Sequence, residues 1–247
     1  MNGEPRKWLI ITLAAPFASF GEEAGNVRRG TADRPTRSAL LGLAGAALGI
    51  DRVDAEGQRA LAASFRVATR TLCAGTLVTD FHTYQSLPSA KGRPRTRAEA
   101  LSHPLDLATS ITHREYRTDV RYQAAYRAIS GGRYSLQDLN AGFEKPAYTL
   151  YLGRKSCPLS HPLSPEIIEA QTVIDAFKRH SDGPSSPSAG LRTHGLIAVE
   201  DRADLGAPDV SLRTRMRMDE PGDRTNWQFG QRREYEYVST DQEEASQ

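Results

Sequence analysis

Cysteine is scarce: Cys73 and Cys157 are the only two in 247 residues. They lie far apart and neither has a partner at metal-ligand spacing. The chain therefore carries no disulfide framework and no zinc motif, and a reducing compartment is expected. No apolar run reaches the roughly 18 residues of a membrane span. Walker A, G-x-G-x-x-G and H-E-x-x-H are all absent. Gly42-x-x-Gly45 falls inside a helical pattern rather than ahead of one, so it is not a dinucleotide loop. Charge of one sign does not dominate, with 32 basic against 30 acidic residues. Total charge thus announces no polyanionic partner, and only its distribution can. No internal repeat is visible. What remains is an apolar fraction of 38%, joined by 20 glycines, which suffices for a real core in one large domain or two small ones.

The stretch Arg34–Ile50, RPTRSALLGLAGAALGI, is the most organised in the chain. Thr36 is placed to cap a helix, with Ser38 in its first turn. Leucines and alanines then cover most of the helix surface, which makes it a buried helix pressed on a sheet. Gly49 reads as its stop. Arg34 and Arg37 flank its N-terminus, where free N–H groups and guanidinium groups would together hold a phosphate. The alternative is a core helix whose first turn carries two solvated arginines.

Around this helix the pattern is that of an α+β chain. Arg6-Lys7 and the apolar run behind them imitate a signal peptide, but Pro16 splits the run and no small-x-small cleavage site follows. About Lys7–Leu13 is expected as a buried first strand ending at Ala14-Ala15-Pro16. A loop, Ala14–Asp33, carries the basic cluster Arg28-Arg29-Gly30. Asp51–Ala63 should end in a short helix, and Phe65–Thr71 and Leu77–Thr83 should be extended. Tyr84–Thr109 has no sustained apolar period and reads as an inserted protrusion. Ile111–Ile129 returns as a strand. Ser135 and Asp138 form a capping box for a helix to about Phe143. Ala147–Leu152 is expected as a further strand. Strand, helix, strand, insertion, strand, helix, strand is the split β-α-β order of a ferredoxin-like (RRM-like) fold. Beyond it, a helix is expected from Ser164-Pro165 to Lys178, a loop at Asp182–Gly190, strands at Leu191–Glu200 and Asp209–Met218, an edge strand at Glu234–Val238, and a frayed acidic tail. In Asp209–Met218, Val210, Leu212, Met216 and Met218 take one side. Arg213, Arg215 and Arg217 take the other, as a basic or merely solvated face.

Two constellations could carry chemistry. Tyr148–Leu159, YTLYLGRKSCPL, leads Tyr148 and Tyr151 into Gly153, Arg154, Lys155 and Ser156: aromatic faces for bases, then a turn for phosphates. His82 and His113 flank the insertion on strands expected to be adjacent. With Tyr84, Tyr116 or Lys155 they could cleave RNA by acid–base catalysis, although nothing in the sequence orients either ring. Cys157, before a proline, reads as a buried structural thiol.

These residues resemble those of the CasD family, subunits of type I-E CRISPR Cascade complexes within the repeat-associated RNA-binding superfamily. The matching pieces are Leu13-Ala-Ala-Pro16, Ser19-Phe20-Gly21, the helix start at Arg34, Asp80-Phe-His-Thr83, Arg114-Glu-Tyr116 and, most specifically, Tyr148–Leu159. The similarity spans roughly Lys7–Leu163. It implies a hand-shaped, noncatalytic RNA-binding protein that grips the 5′ handle of CRISPR RNA. Such a subunit caps the filament of backbone subunits and adjoins the large PAM-reading subunit, with target DNA present in the assembled complex. It also implies a cytoplasmic location, no cofactor and no membrane. The palm would occupy 1–83 and 110–160, the thumb 84–109, and a strand-rich part of the palm 161–240. RNA contacts would then come from Arg28, Arg29, Arg34, Thr36, Arg37, Ser38, His82, Tyr148, Tyr151, Gly153, Arg154, Lys155 and Ser156. Two alternatives stay open: a metal-independent endoribonuclease that processes precursor RNA, and a structural protein whose basic turns contact other proteins.

Overall fold

The structure, a computed structural model, describes residues 4–21, 27–88, 92–102, 104–180, 195–206, 212–222 and 228–238. Strand β1 (Arg6–Ala18) is a nearly continuous apolar run because both of its faces are covered. Leu9, Ile11 and Leu13 point into one core, while Trp8 and Ile10 point into a second core across the sheet. The strand runs through Pro16 instead of ending there. Pairing skips from Ala15↔Val120 to Phe17↔Thr118, and Asp119 opposite takes a positive φ of 55°. A local irregularity thus absorbs the missing N–H. After the short strand β2 (Arg28–Arg29) comes helix α1 (Arg37–Leu48). Thr36 caps it by accepting from the Ala39 N–H at 3.2 Å, and Gly49 closes it in the left-handed region. Leu40, Leu41 and Leu43 are buried against the sheet, each contributing roughly 2 kcal/mol relative to an exposed side chain.

Asp54 caps α2 (Ala55–Ser64), which runs directly into β3 (Phe65–Cys73). Then β4 (Thr76–Ser86), the short helix α3 (Arg97–Leu101) and the 21-residue β5 (Ala108–Ala128) follow. β5 is the spine of the molecule. Its second half lies between β1 and β3, and its first half pairs with β4 along Thr76↔Thr118 to Ser86↔Ala108. The insertion is therefore the tip of a two-stranded ribbon that starts at Thr76, well before Tyr84. The Ser135–Asp138 capping box forms and opens α4 (Leu136–Glu144).

Two expectations fail next. Ala147–Leu152 is not a strand. The N–H groups of Ala147 and Tyr148 donate to Ala47 and Ala46 at 3.1 Å, closing the open end of α1. Nor does a helix start at Pro165. Residues Glu166–Ala170 form β6 on the free edge of β1, and α5 (Val173–Arg179) starts later, at the cap Thr172. The β-branched pair Ile167-Ile168 suits that edge better than a helix.

The chain ends with β7 (Leu196–Val199), β8 (Arg213–Pro221) and β9 (Phe229–Val238). The order across the sheet is β6-β1-β5-β3-β7-β9-β8. β9 is thus interior, and the edge position expected for Glu234–Val238 belongs to β8. One face packs on α1, α2 and α4, the other on α5. From Trp8 to Ala15 the sheet offers no bare face at β1 to a nucleic acid. The loop expected at Asp182–Gly190 and the acidic tail lie outside the described residues.

Candidate nucleic-acid interface

The N-terminus of α1 does hold an anion, but the protein supplies it. The Arg37 N–H donates to the Asp219 carboxylate at 2.8 Å. That carboxylate is itself gripped by Arg232 at 2.7 and 2.9 Å. Arg34 is 1% exposed and paired with Glu234, Glu236 and Asp33. Arg37 is buried too, bound to Glu200 at 2.6 Å, to Glu220 at 2.9 Å and to the carbonyls of Phe65 and Ala62. Thr36 is buried as the cap, with its hydroxyl 3.0 Å from that of Ser38. The expected phosphate site at Arg34, Thr36, Arg37 and Ser38 is therefore corrected. A guanidinium out of water needs carboxylates around it, and β8 and β9 fold back to provide them.

This explains why β8 is turned opposite to expectation. Arg217 and Asp219 face inward to the ionic cluster, while Met216 and Met218 stand half in solvent. Burial opposes ionisation of Glu234, but Arg34, Arg232 and Arg217 outweigh it and hold its carboxyl below the usual range. At Glu200 burial wins over Arg37 and Arg232, and its carboxyl is pushed up.

The basic turn at Gly153 sits elsewhere, where β1, β2 and the root of the ribbon meet. Gly153 has a φ of +86° and packs on the backbone of Ser19, whose carbonyl oxygen a Cβ would strike. The Ser19 N–H donates to Leu152 and its hydroxyl to the Glu115 carbonyl, both at 3.0 Å. Arg154 donates to that same carbonyl at 3.1 Å and to the Arg29 carbonyl at 3.0 Å. Its guanidinium lies over the Tyr116 ring, 4.6 Å from the centroid. Phe17 meets Tyr116 edge-on at 6.1 Å. Arg28 reaches the buried Glu115 carboxylate at 2.6 Å. Arg29, Lys155 and Ser156 are exposed, as are Tyr148 and Tyr151. Cys157 is fully buried and burial pushes its thiol up, so it is a poor nucleophile.

The structure thus gathers Arg28, Arg29, Gly153, Arg154 and Lys155 and leaves the α1 arginines apart. It adds Ser19 and Glu115, which the sequence marked only as pieces of a resemblance, Tyr116, marked there and as a possible partner of the histidines, and Phe17, which no motif singled out.

His82 and His113 do not approach each other as expected. His82 pairs with Thr112 and His113 with Phe81, so the two rings stand on opposite faces of the ribbon. His113 packs edge-on against Phe81 at 5.5 Å. His82 Nε2 lies 2.7 Å from an Asp80 carboxylate oxygen, a close charge contact without hydrogen-bond geometry. Among the described residues no three His, Cys, Asp or Glu side chains are grouped to hold a metal, and no helix is long and apolar enough to cross a membrane.

Comparison with known proteins bears on the family and the fold. Residues 8–235 match the model of a family described as CRISPR-associated protein (Cas_Cas5). The chain is 36% identical over 165 residues to CRISPR system Cascade subunit CasD of Escherichia coli (strain K12), covering 64% of this chain and 70% of that protein. Two solved structures share the fold. One is a chain of a CRISPR RNA-guided surveillance complex, with TM-score 0.61, 19% identity and coverage of 94% of this chain and 90% of that one. The other, described as a Cas protein, has TM-score 0.57, 23% identity and coverage of 94% of both chains. With nearly the whole ordered sheet inside the family match, the chain belongs to the Cas5 family of CRISPR-associated proteins.

Proposed function

We propose that this chain is a noncatalytic RNA-binding subunit of a type I-E Cascade surveillance complex. In that role it grips the 5′ handle of CRISPR RNA and caps the backbone filament beside the large PAM-reading subunit, in the cytoplasm. The likeness to CasD supports the assembly. The order β6-β1-β5-β3, with α1 and α2 between β1 and β3 and α4 between β5 and β6, supports reading this part as a ferredoxin-like palm. The exposed ribbon supports reading its tip as a thumb. One observation carries the RNA assignment: Arg28, Arg29, Arg154 and Lys155 converge at the ribbon root beside Phe17 and Tyr116. Basic groups interleaved with aromatic rings suit a single strand whose bases are unstacked. Arg34 and Arg37 have no part in this contact, because their charges are spent on carboxylates.

The test uses the assembled complex and CRISPR RNA, with binding measured at several salt concentrations. Arg29→Ala with Lys155→Ala should weaken binding alike for handles of different base sequence. It should also flatten the salt slope by roughly 1.4, about 0.7 for each lost phosphate contact on a single strand. An unchanged slope would remove both residues from the interface.

The Asp80–His82 pair favours one second reading, a metal-independent endoribonuclease. Incubating the purified chain with repeat RNA in the absence of metal decides it. Cleavage that is lost in His82→Ala would establish the nuclease; intact RNA retains the noncatalytic reading.

A further inference from the structure

At the ribbon root, two of the arginines that the sequence marks for RNA, Arg28 and Arg154, are already engaged, as is Tyr116. One face of the Tyr116 ring is covered by the Arg154 guanidinium, and Phe17 abuts the same ring edge-on. Arg154 divides its donors between the carbonyls of Glu115 and Arg29. Arg28 is bound to Glu115. Phe17 is different. It is the penultimate residue of β1, beyond the break in pairing at Pro16, and its apolar side chain is 45% exposed. Tyr116 holds it from one side, and Ser19, two residues on, ties that segment to the basic turn. Exposed cations beside this segment include Arg29, whose carbonyl Arg154 binds, and Lys155, next in the chain to Arg154, while the exposed Arg28 is paired with Glu115.

We propose that Phe17 is the base-stacking residue of this interface, taking one unpaired nucleobase on its exposed ring while Arg29 and Lys155 take the flanking phosphates. This rests on the RNA-binding reading above. An aromatic face accepts any base, so Phe17 contributes affinity and position along the strand with little choice among bases. Arg154 is a positioning residue here: it fixes Tyr116, and through Tyr116 the setting of the Phe17 ring.

The experiment measures CRISPR RNA binding by the assembled complex carrying Phe17→Leu or Phe17→Trp. Leucine keeps an apolar side chain at the position but has no π face. Phe17→Leu should weaken binding roughly five- to hundred-fold, with the salt slope unchanged, because no counterion release is lost. Phe17→Trp should restore it. RNAs with a single abasic nucleotide should include one position at which Phe17→Leu has no further effect. Wild-type affinity in Phe17→Leu, together with weakened binding in Arg29→Ala/Lys155→Ala, would overturn the stacking role and leave the RNA interface standing. Loss of a partner subunit from the Phe17→Leu complex, with RNA affinity kept, would make Phe17 a protein contact and overturn it too. Photo-crosslinking from Lys155 in the wild-type complex separates the two readings: if it yields protein adducts and no RNA adduct, the RNA-binding reading itself fails.

Discussion

Arg34 carries a full charge with almost none of its surface in water, and Glu234 and Glu236 neutralise it from 200 residues further along the chain. No local pattern could disclose that partnership, since the arginine beside a helix cap looks the same whether it faces a ligand or the protein's own carboxylates. The cap itself, Thr36, and the stop, Gly49, were legible because their partners lie within a turn. Arg34→Met keeps most of the side-chain bulk but leaves Glu234 to Arg232 and Glu236 to Arg215 at 3.7 Å. It should cost about 3–5 kcal/mol, read as a lower urea midpoint, with Arg34→Lys recovering part of the loss. Gly153 is the other residue with little latitude. Its glycine was read from the turn, but the obstacle is the Ser19 backbone rather than a ligand. Gly153→Ala should destabilise by about 1–3 kcal/mol in the same assay, through strain at positive φ and the clash with that carbonyl.

Elements with their own local signals were read correctly, α1, α2, α4 and β3 among them. Those set by a neighbour were misread. β6 exists because β1 has a free edge. Ala147 and Tyr148 fail to form a strand because α1 needs its last carbonyls answered. The outward methionines of β8 follow from the charges beneath them.

The β8–β9 hairpin should accordingly respond to acid. The Glu234 carboxyl is held low in the fold, so its contribution is present above the ordinary glutamate value of about 4.3 and is lost as pH falls through its depressed folded value. Glu200 and Asp204 shift the other way under burial, and their penalty at neutral pH is relieved as pH falls through their raised values. Stability measured by urea midpoint should thus hold or rise on mild acidification and then fall steeply below the glutamate range. Amide exchange at 229–238 should open in that acid limb, and Glu234→Gln should flatten it.

For the molecule as a whole, two cores on opposite faces of one sheet leave the ribbon with little share in either. Replacing 87–107 by a short Gly-Ser turn should therefore leave the circular dichroism melt nearly unchanged while impairing incorporation into the complex. Unfolding on deletion would place that tip in the core. The candidate site draws on four separated pieces of chain, around 17–19, 28–29, 115–116 and 153–155. Its members were legible one motif at a time, but the meeting point was not, because only the course of β5 brings them together.

β5 also has a mechanical meaning. One uninterrupted strand, roughly 70 Å long at the usual rise, is both the arm of the ribbon and the middle girder of the sheet. A push at the tip cannot be taken up at a flexible joint between two bodies, since none separates them along this strand. The load travels down the girder to the mismatch between Pro16 and Asp119, a break in its bracing. That seam lies immediately beside Phe17. Whatever leans on the far end of the arm is felt as torque where the aromatic and basic groups meet.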